Sequence, residues 1–145
     1  MLVSRLGSFE DLKVADLFAG SGALGIEALS RGAAECVFVE QDGAALDSLR
    51  ANALKLGIRP EIRAQSVLAL PRVSTPFDLI LMDPPYGSGA GAVALDKLNR
   101  IGWVGPATLV SIETAKSETV EVAGFECVTD RVYAKARITL LALAR

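Results

Sequence analysis

Residues Val14–Ser30 read VADLFAGSGALGIEALS, and this stretch decides the fold. A short apolar run (Val14, Ala15, Leu17, Phe18) stops at a loop of small residues, Ala19-Gly20-Ser21-Gly22, and the chain resumes as a helix. Strand, glycine-rich loop and helix in that order build a nucleotide-type ligand site in an α/β domain. Glycine lets backbone N–H groups approach a ligand closely, and the first helical turn presents unpaired donors. The loop is expected to seat a cofactor.

Gly20 to Gly25 also satisfies G-x-G-x-x-G, and Glu40 ends the next apolar run about twenty residues later, so a dinucleotide fingerprint is formally present. Asp16 points elsewhere. A carboxylate at the end of the first strand, just before the loop, repels a pyrophosphate and attracts a cation. S-adenosylmethionine carries an ammonium on its methionine end and ribose hydroxyls on the other. That suits Asp16 near the loop and Glu40 at the tip of the second strand. Without a ligand, Asp16 is a local loop cap and Glu40 a solvated strand end.

The 145 residues, 51% of them hydrophobic, are enough for one domain with a full core and too few for two. No apolar run reaches membrane-span length and no signal peptide is evident, so a soluble, cytoplasmic protein is expected. With no His, zinc chemistry and a Ser-His-Asp arrangement are excluded, and no metal is expected. Cys36 and Cys127 sit far apart inside apolar runs and are expected to be two buried free thiols. A formal charge of −2 gives no basic footprint, so a nucleic-acid role needs a local patch or a further segment.

In chain order, Met1 to Phe9 resembles the tail of an amphipathic helix. The helix after the loop is expected to turn Leu24, Ala28 and Leu29 inward, and Gly32 stops it. A second strand covers Glu35 to Glu40. Asp42 caps a helix with Leu46, Leu49, Ala53 and Leu56 on its core face. A third strand spans Pro60 to Gln65, a helical turn Ser66 to Leu70, and a doubly buried fourth strand Phe77 to Met82. After a Gly-rich gap, a helix runs to about Arg100 with Val93, Leu95 and Leu98 inward. Thr108 to Glu113, Phe125 to Tyr133 and Arg137 to Leu143 complete seven strands, the last two as a hairpin. Alternating strands and helices give an α/β, mostly parallel, doubly wound sheet with an antiparallel C-terminal strand. Asp16, Glu40, Ser66 and Asp83 then fall at strand ends around one crevice, where such sheets bind ligands.

Asp83-Pro84-Pro85-Tyr86 follows the fourth strand directly. Two prolines fix φ, remove two N–H donors and extend the preceding residue, which leaves the Asp83 carboxylate and the Pro84 carbonyl as outward acceptors. Acceptors on both hydrogens of a planar exocyclic amine orient it and stabilise it as its nitrogen attacks an electrophilic methyl. Tyr86 offers a face on which an extruded base can stack. In isolation the same residues make an ordinary turn.

DLFAGSGALGIEALSRGA at Asp16 to Ala33, FVEQD at Phe38 to Asp42 and DPPY at Asp83 to Tyr86 resemble motifs of class I S-adenosylmethionine-dependent methyltransferases. More closely, they resemble the RsmD family of bacterial 16S ribosomal RNA guanine-N2 methyltransferases, and Gly102-Trp103 fits that family's segment before the fifth strand. The resemblance implies a Rossmann-like fold and methyl transfer to a guanine amine in 16S rRNA or an assembling small subunit, by a monomer. It implies that Asp16, Gly20 and Gly22 surround the methionine end of S-adenosylmethionine and that Glu40 binds its ribose. Ala19, Gln41 and Ser66 complete the expected cofactor contacts, and Asp83, Pro84 and Tyr86 hold the target base. Ser66 stands where relatives usually place Asp or Asn against the adenine amine. Relatives also carry a basic N-terminal segment ahead of the point where Met1 stands, so an N-terminally shortened chain is expected. The alternatives are an adenine-N6 DNA methyltransferase, a cofactor-binding module inactive without that segment, and, fitting less well, a nicotinamide oxidoreductase, which leaves Asp16 and the Pro-Pro-Tyr turn idle.

Overall fold

The computed structural model describes residues 8–145; the helix tail expected at Met1 to Phe9 lies largely outside them. Seven strands form one sheet: β1 (Lys13–Leu17), β2 (Glu35–Val39), β3 (Glu61–Arg63), β4 (Leu79–Met82), β5 (Leu109–Ala115), β6 (Phe125–Tyr133) and β7 (Ala136–Leu143). Their order is β3-β2-β1-β4-β5-β7-β6, with β1 to β5 parallel and β7 antiparallel to both neighbours. Three helices connect them: α1 (Ala23–Ser30), α2 (Gly43–Lys55) and α3 (Ala90–Arg100), with a 3-10 turn at Val67–Ala69. This is the α/β sheet that the alternation of strands and helices predicts.

Strand parity sorts the core into two layers. Val14, Cys36, Phe38, Leu79 and Leu81 face one side, where Ile26 and Ala28 of α1 and Leu49 of α2 cover them. Ala15, Leu17, Val37, Val39, Ile80, Met82, Val110 and Ile112 face the other, under Ala94, Leu95 and Leu98 of α3. Trp103 closes that layer: its ring stacks on Phe77 at 4.5 Å and its indole N–H donates to the Pro71 carbonyl at 3.0 Å. Switching of the chain from one face to the other on either side of β1 and β4 opens a crevice at their carboxyl ends.

Several local expectations hold with tighter bounds. Asp42 caps α2 by accepting from the Ala45 N–H at 2.9 Å, and Ser66 caps the 3-10 turn by accepting from the Leu68 N–H at 3.2 Å. Other positions differ. Leu24 is 40% exposed and α1 buries Gly25, Ile26 and Ala28 instead, while Val93 is 56% exposed and Ala94 takes its place inward. Leu56 is 60% exposed because α2 ends at Lys55 and the chain turns away. Cys36 is buried, but Cys127 is exposed, since β6 is the edge strand and has a neighbour only on one side. Among the described residues no helix is long and apolar enough to cross a membrane.

Candidate active site

The glycine loop is shaped by three close approaches. Gly20 and Gly22 have φ of +58° and +82°, a region that side chains disfavour, and a Cβ on Gly22 would collide with Leu49 of α2. Gly25 lets α1 lie on the sheet: a Cβ there would stand 2.5 Å from Phe38 and 2.7 Å from the Cys36 sulfur. The tight turn at Gly20 and the helix–sheet packing at Gly25 are the roles that the first and third glycines of such a loop take. Asn52 of α2 ties the loop down through its Nδ2, which donates to the Ser21 carbonyl at 3.0 Å.

Two cavities adjoin under this loop. The larger, about 630 Å³, is lined by Asp16, Ala19, Gly20, Leu24, Glu40, Gln41, Asp42, Asp83 and Pro85, with Phe18, Ser21, Ala23 and Ala90. The smaller, about 280 Å³, is lined by Phe18, Glu40, Gln41, Ser66, Val67, Leu68 and Val93 among others. Phe18, Glu40, Gln41 and Ala90 belong to both. The expected residues Asp16, Ala19, Gly20, Glu40, Gln41, Ser66 and Asp83 therefore meet around one connected space. Three others stand outside its walls. Gly22 is buried in the turn, Pro84 is buried where α3 packs at Gly91, and Tyr86 is exposed beyond the rim.

Carboxylates dominate the electrostatics. Glu40 accepts from the Gly20 N–H at 2.8 Å through Oε1 and from the Gln41 and Asp42 N–H groups at 2.9 Å through Oε2. It thereby fixes the loop and the strand end while one lone pair of Oε1 stays available for a donor. Asp16 is 1% exposed and accepts from the Gly25 N–H at 3.0 Å. Burial pushes its pKa up to about 7, against the stabilising Gly25 bond, and the charges of Asp83 and Glu40 push the same way. Asp83 is also raised, by partial burial first and then by the nearby charge of Glu113. The larger cavity has no basic lining residue. Such a site suits a cation at Asp16 and N–H donors at Asp83.

Glu113 is the residue that sequence reasoning missed. Leu81 pairs with Ser111 and Met82 with Ile112, so Asp83, just past the end of β4, comes next to Glu113 of β5. The Tyr86 hydroxyl donates to Glu113 Oε2 at 3.4 Å, and the Gly87 N–H to Glu118 Oε1 at 2.7 Å. Only the lateral register of two strands, unknown from one sequence, could have paired Asp83 with Glu113. Among the described residues no group of His, Cys, Asp and Glu could hold a metal ion.

The strand order, the glycine loop after β1, the acid ending β2 and the Asp-Pro-Pro-Tyr turn after β4 define a Rossmann-like methyltransferase fold. HI0767 of Haemophilus influenzae, assigned as a methylase, superposes with a TM-score of 0.84 at 27% identity, over 99% of this chain and 94% of that one. The chain belongs to the family described as Conserved hypothetical protein 95, which matches residues 3–142, in agreement with the RsmD-type motifs. It is 35% identical over 106 residues to Ribosomal RNA small subunit methyltransferase D of Escherichia coli K12, covering 72% of this chain and 54% of that protein. The protein of the same name from Haemophilus influenzae Rd is 35% identical over 109 residues, covering 71% and 56%. The chain spans about half the length of these curated relatives.

Proposed function

We propose that residues 1–145 form a single S-adenosylmethionine-dependent methyltransferase domain that methylates the exocyclic N2 amine of a guanine in 16S ribosomal RNA, in the cytoplasm. The observation that carries this reading is that Asp16 and Asp83 line the same cavity. One is a buried carboxylate with no basic partner lining the cavity, and the other is an acceptor held by two prolines. The names of the relatives supply the substrate class, rRNA of the small subunit.

The residues present fit the cofactor. Asp16 gains the counter-ion its burial calls for when an ammonium enters, Glu40 has an acceptor free for a ribose hydroxyl, and Val93, Leu68 and Val67 offer an apolar slot for a purine. The Ser66 hydroxyl already accepts from the 3-10 turn, so it meets an adenine amine only through its second lone pair. When bound, S-adenosylmethionine supplies an electrophilic methyl on a sulfonium.

Asp83 accepts an N2–H of the base and so holds the nitrogen lone pair toward the methyl. With a methyl delivered from the bound cofactor, N2 would carry one surplus proton, which Asp83 would take and pass on to water. Tyr86, exposed beside the rim, stacks on the extruded base. No covalent bond to the protein is involved.

Titration calorimetry with S-adenosylhomocysteine, with NADH as control, tests the cofactor. Saturable binding of S-adenosylhomocysteine alone is expected; binding of NADH, or of neither, counts against the reading. Transfer of labelled methyl to undermethylated small subunits then tests the reaction.

A further inference from the structure

We propose that Glu113 reads the target base: side by side, Asp83 and Glu113 accept the adjacent N2–H and N1–H of guanine and thereby select guanine over adenine and cytosine. This inference rests on the methyl-transfer reading above and adds to it the residue that sets base specificity.

Four observations carry it. First, register places Asp83 and Glu113 next to each other, on the sheet face that also carries Asp16, because Asp16 pairs with Leu81 and Leu81 with Ser111. Second, Glu113 lies close enough to Asp83 for its charge to push the Asp83 carboxyl up. A base edge with two N–H donors set against the pair offsets that repulsion. Third, among the described residues no Lys or Arg pairs with Glu113, so its half-buried carboxylate has no counter-ion that would give it a purely structural use. Fourth, the carboxylate is aimed: Tyr86 donates to Oε2, which leaves Oε1 for the base, and the Gly87–Glu118 bond ties the turn after β4 to the segment after β5.

The chemistry then discriminates. Guanine alone among the four bases presents an amine beside a ring N–H on one edge. Adenine and cytosine place a ring-nitrogen lone pair beside their amine, and a carboxylate facing a lone pair repels it. A site built to take a hydrogen bond rejects an analogue that cannot give it far more strongly than an apolar pocket rejects a missing methylene. With Asp83 on the reacting amine, Glu113 is the acceptor left for the ring position.

The test uses RNA oligonucleotides that carry, at the position methylated by the wild-type chain, either guanosine or 2-aminopurine. The latter keeps the N2 amine but has an acceptor at N1. Single-turnover methyl transfer by the wild-type chain is expected to favour guanosine by roughly 10- to 100-fold, the value of one hydrogen bond to a charged group. Glu113→Gln, whose amide can donate to the N1 of 2-aminopurine, is expected to reduce that preference to below about threefold. Glu113→Ala should lose it as well, and both variants should bind S-adenosylhomocysteine as the wild type does. A wild type without preference, or a Gln variant that keeps it, overturns the inference. So does an equal loss on both substrates, which marks Glu113 as a support for the fold. Absence of transfer to any RNA by wild type that binds S-adenosylhomocysteine defeats the guanine-N2 reading itself, an outcome distinct from transfer without discrimination.

Discussion

Asp16→Asn keeps the shape of the buried side chain, including an oxygen that can accept from the Gly25 N–H at 3.0 Å, and removes its charge. In the folded protein the carboxyl holds its proton up to about pH 7, whereas the unfolded chain releases it near the ordinary 3.8. Between those values the folded state binds more protons, so this group's contribution to stability is complete below pH 3.8 and falls away as pH rises to about 7. At about 1.4 kcal/mol per pH unit, burying the ionised form costs the unliganded protein about 4 kcal/mol at neutral pH. The Asn variant avoids most of this, less what it costs to bury an amide. The difference in unfolding free energy between variant and wild type should therefore be small at pH 4.5, grow to roughly 2–4 kcal/mol by pH 7, and stay level above it. For a domain of this size that corresponds to roughly 6–12 °C in Tm in favour of the variant. The assay is thermal and urea unfolding of both proteins from pH 4.5 to 8.5 without ligand. The same variant should bind S-adenosylhomocysteine at least about a hundredfold more weakly, because the ligand's ammonium loses a buried counter-ion. An Asn variant less stable than wild type at pH 8, or a difference that does not change with pH, refutes the reasoning.

Other substitutions separate the parts of the site. Glu40→Ala removes the acceptor of the Gly20, Gln41 and Asp42 N–H groups, and calorimetry should show S-adenosylhomocysteine binding weakened at least about tenfold. Asp83→Ala should leave that affinity within about threefold while methyl transfer falls at least about a hundredfold. Gly25→Ala forces a methyl against Phe38 and Cys36 where α1 meets the sheet, and urea unfolding should show a loss of roughly 1–3 kcal/mol. Because the ammonium needs Asp16 ionised, wild-type affinity for S-adenosylhomocysteine should rise up to about tenfold per pH unit below pH 7 and level off above it.

The parts of the fold legible in sequence were those written in local chemistry. The loop at Gly20 to Gly25, the Asp42 cap and the unbroken apolar run of β4 each contain their own cause, and strand alternation gave the layers. Periodicity misled at Leu24 and Val93, and for one reason: both are apolar and in helical phase with the core, yet each lines a cavity wall. A hydrophobic residue that faces a ligand has the same sequence signature as one that faces a strand. Cys127 misled because an edge strand reads like a central one until its neighbours are known. Glu113 left no signal, since its meaning lies in the register of β4 with β5 and not in its own neighbourhood.

The chemistry assigned to this site is tested most directly by identifying the product. Undermethylated small subunits are incubated with the chain and S-adenosylmethionine carrying a labelled methyl, and the 16S rRNA is digested to nucleosides. Label in N2-methylguanosine, lost in the Asp83→Ala chain, is the expected result. Label in any other nucleoside, or label that survives Asp83→Ala, contradicts methyl transfer to a guanine amine held by this turn.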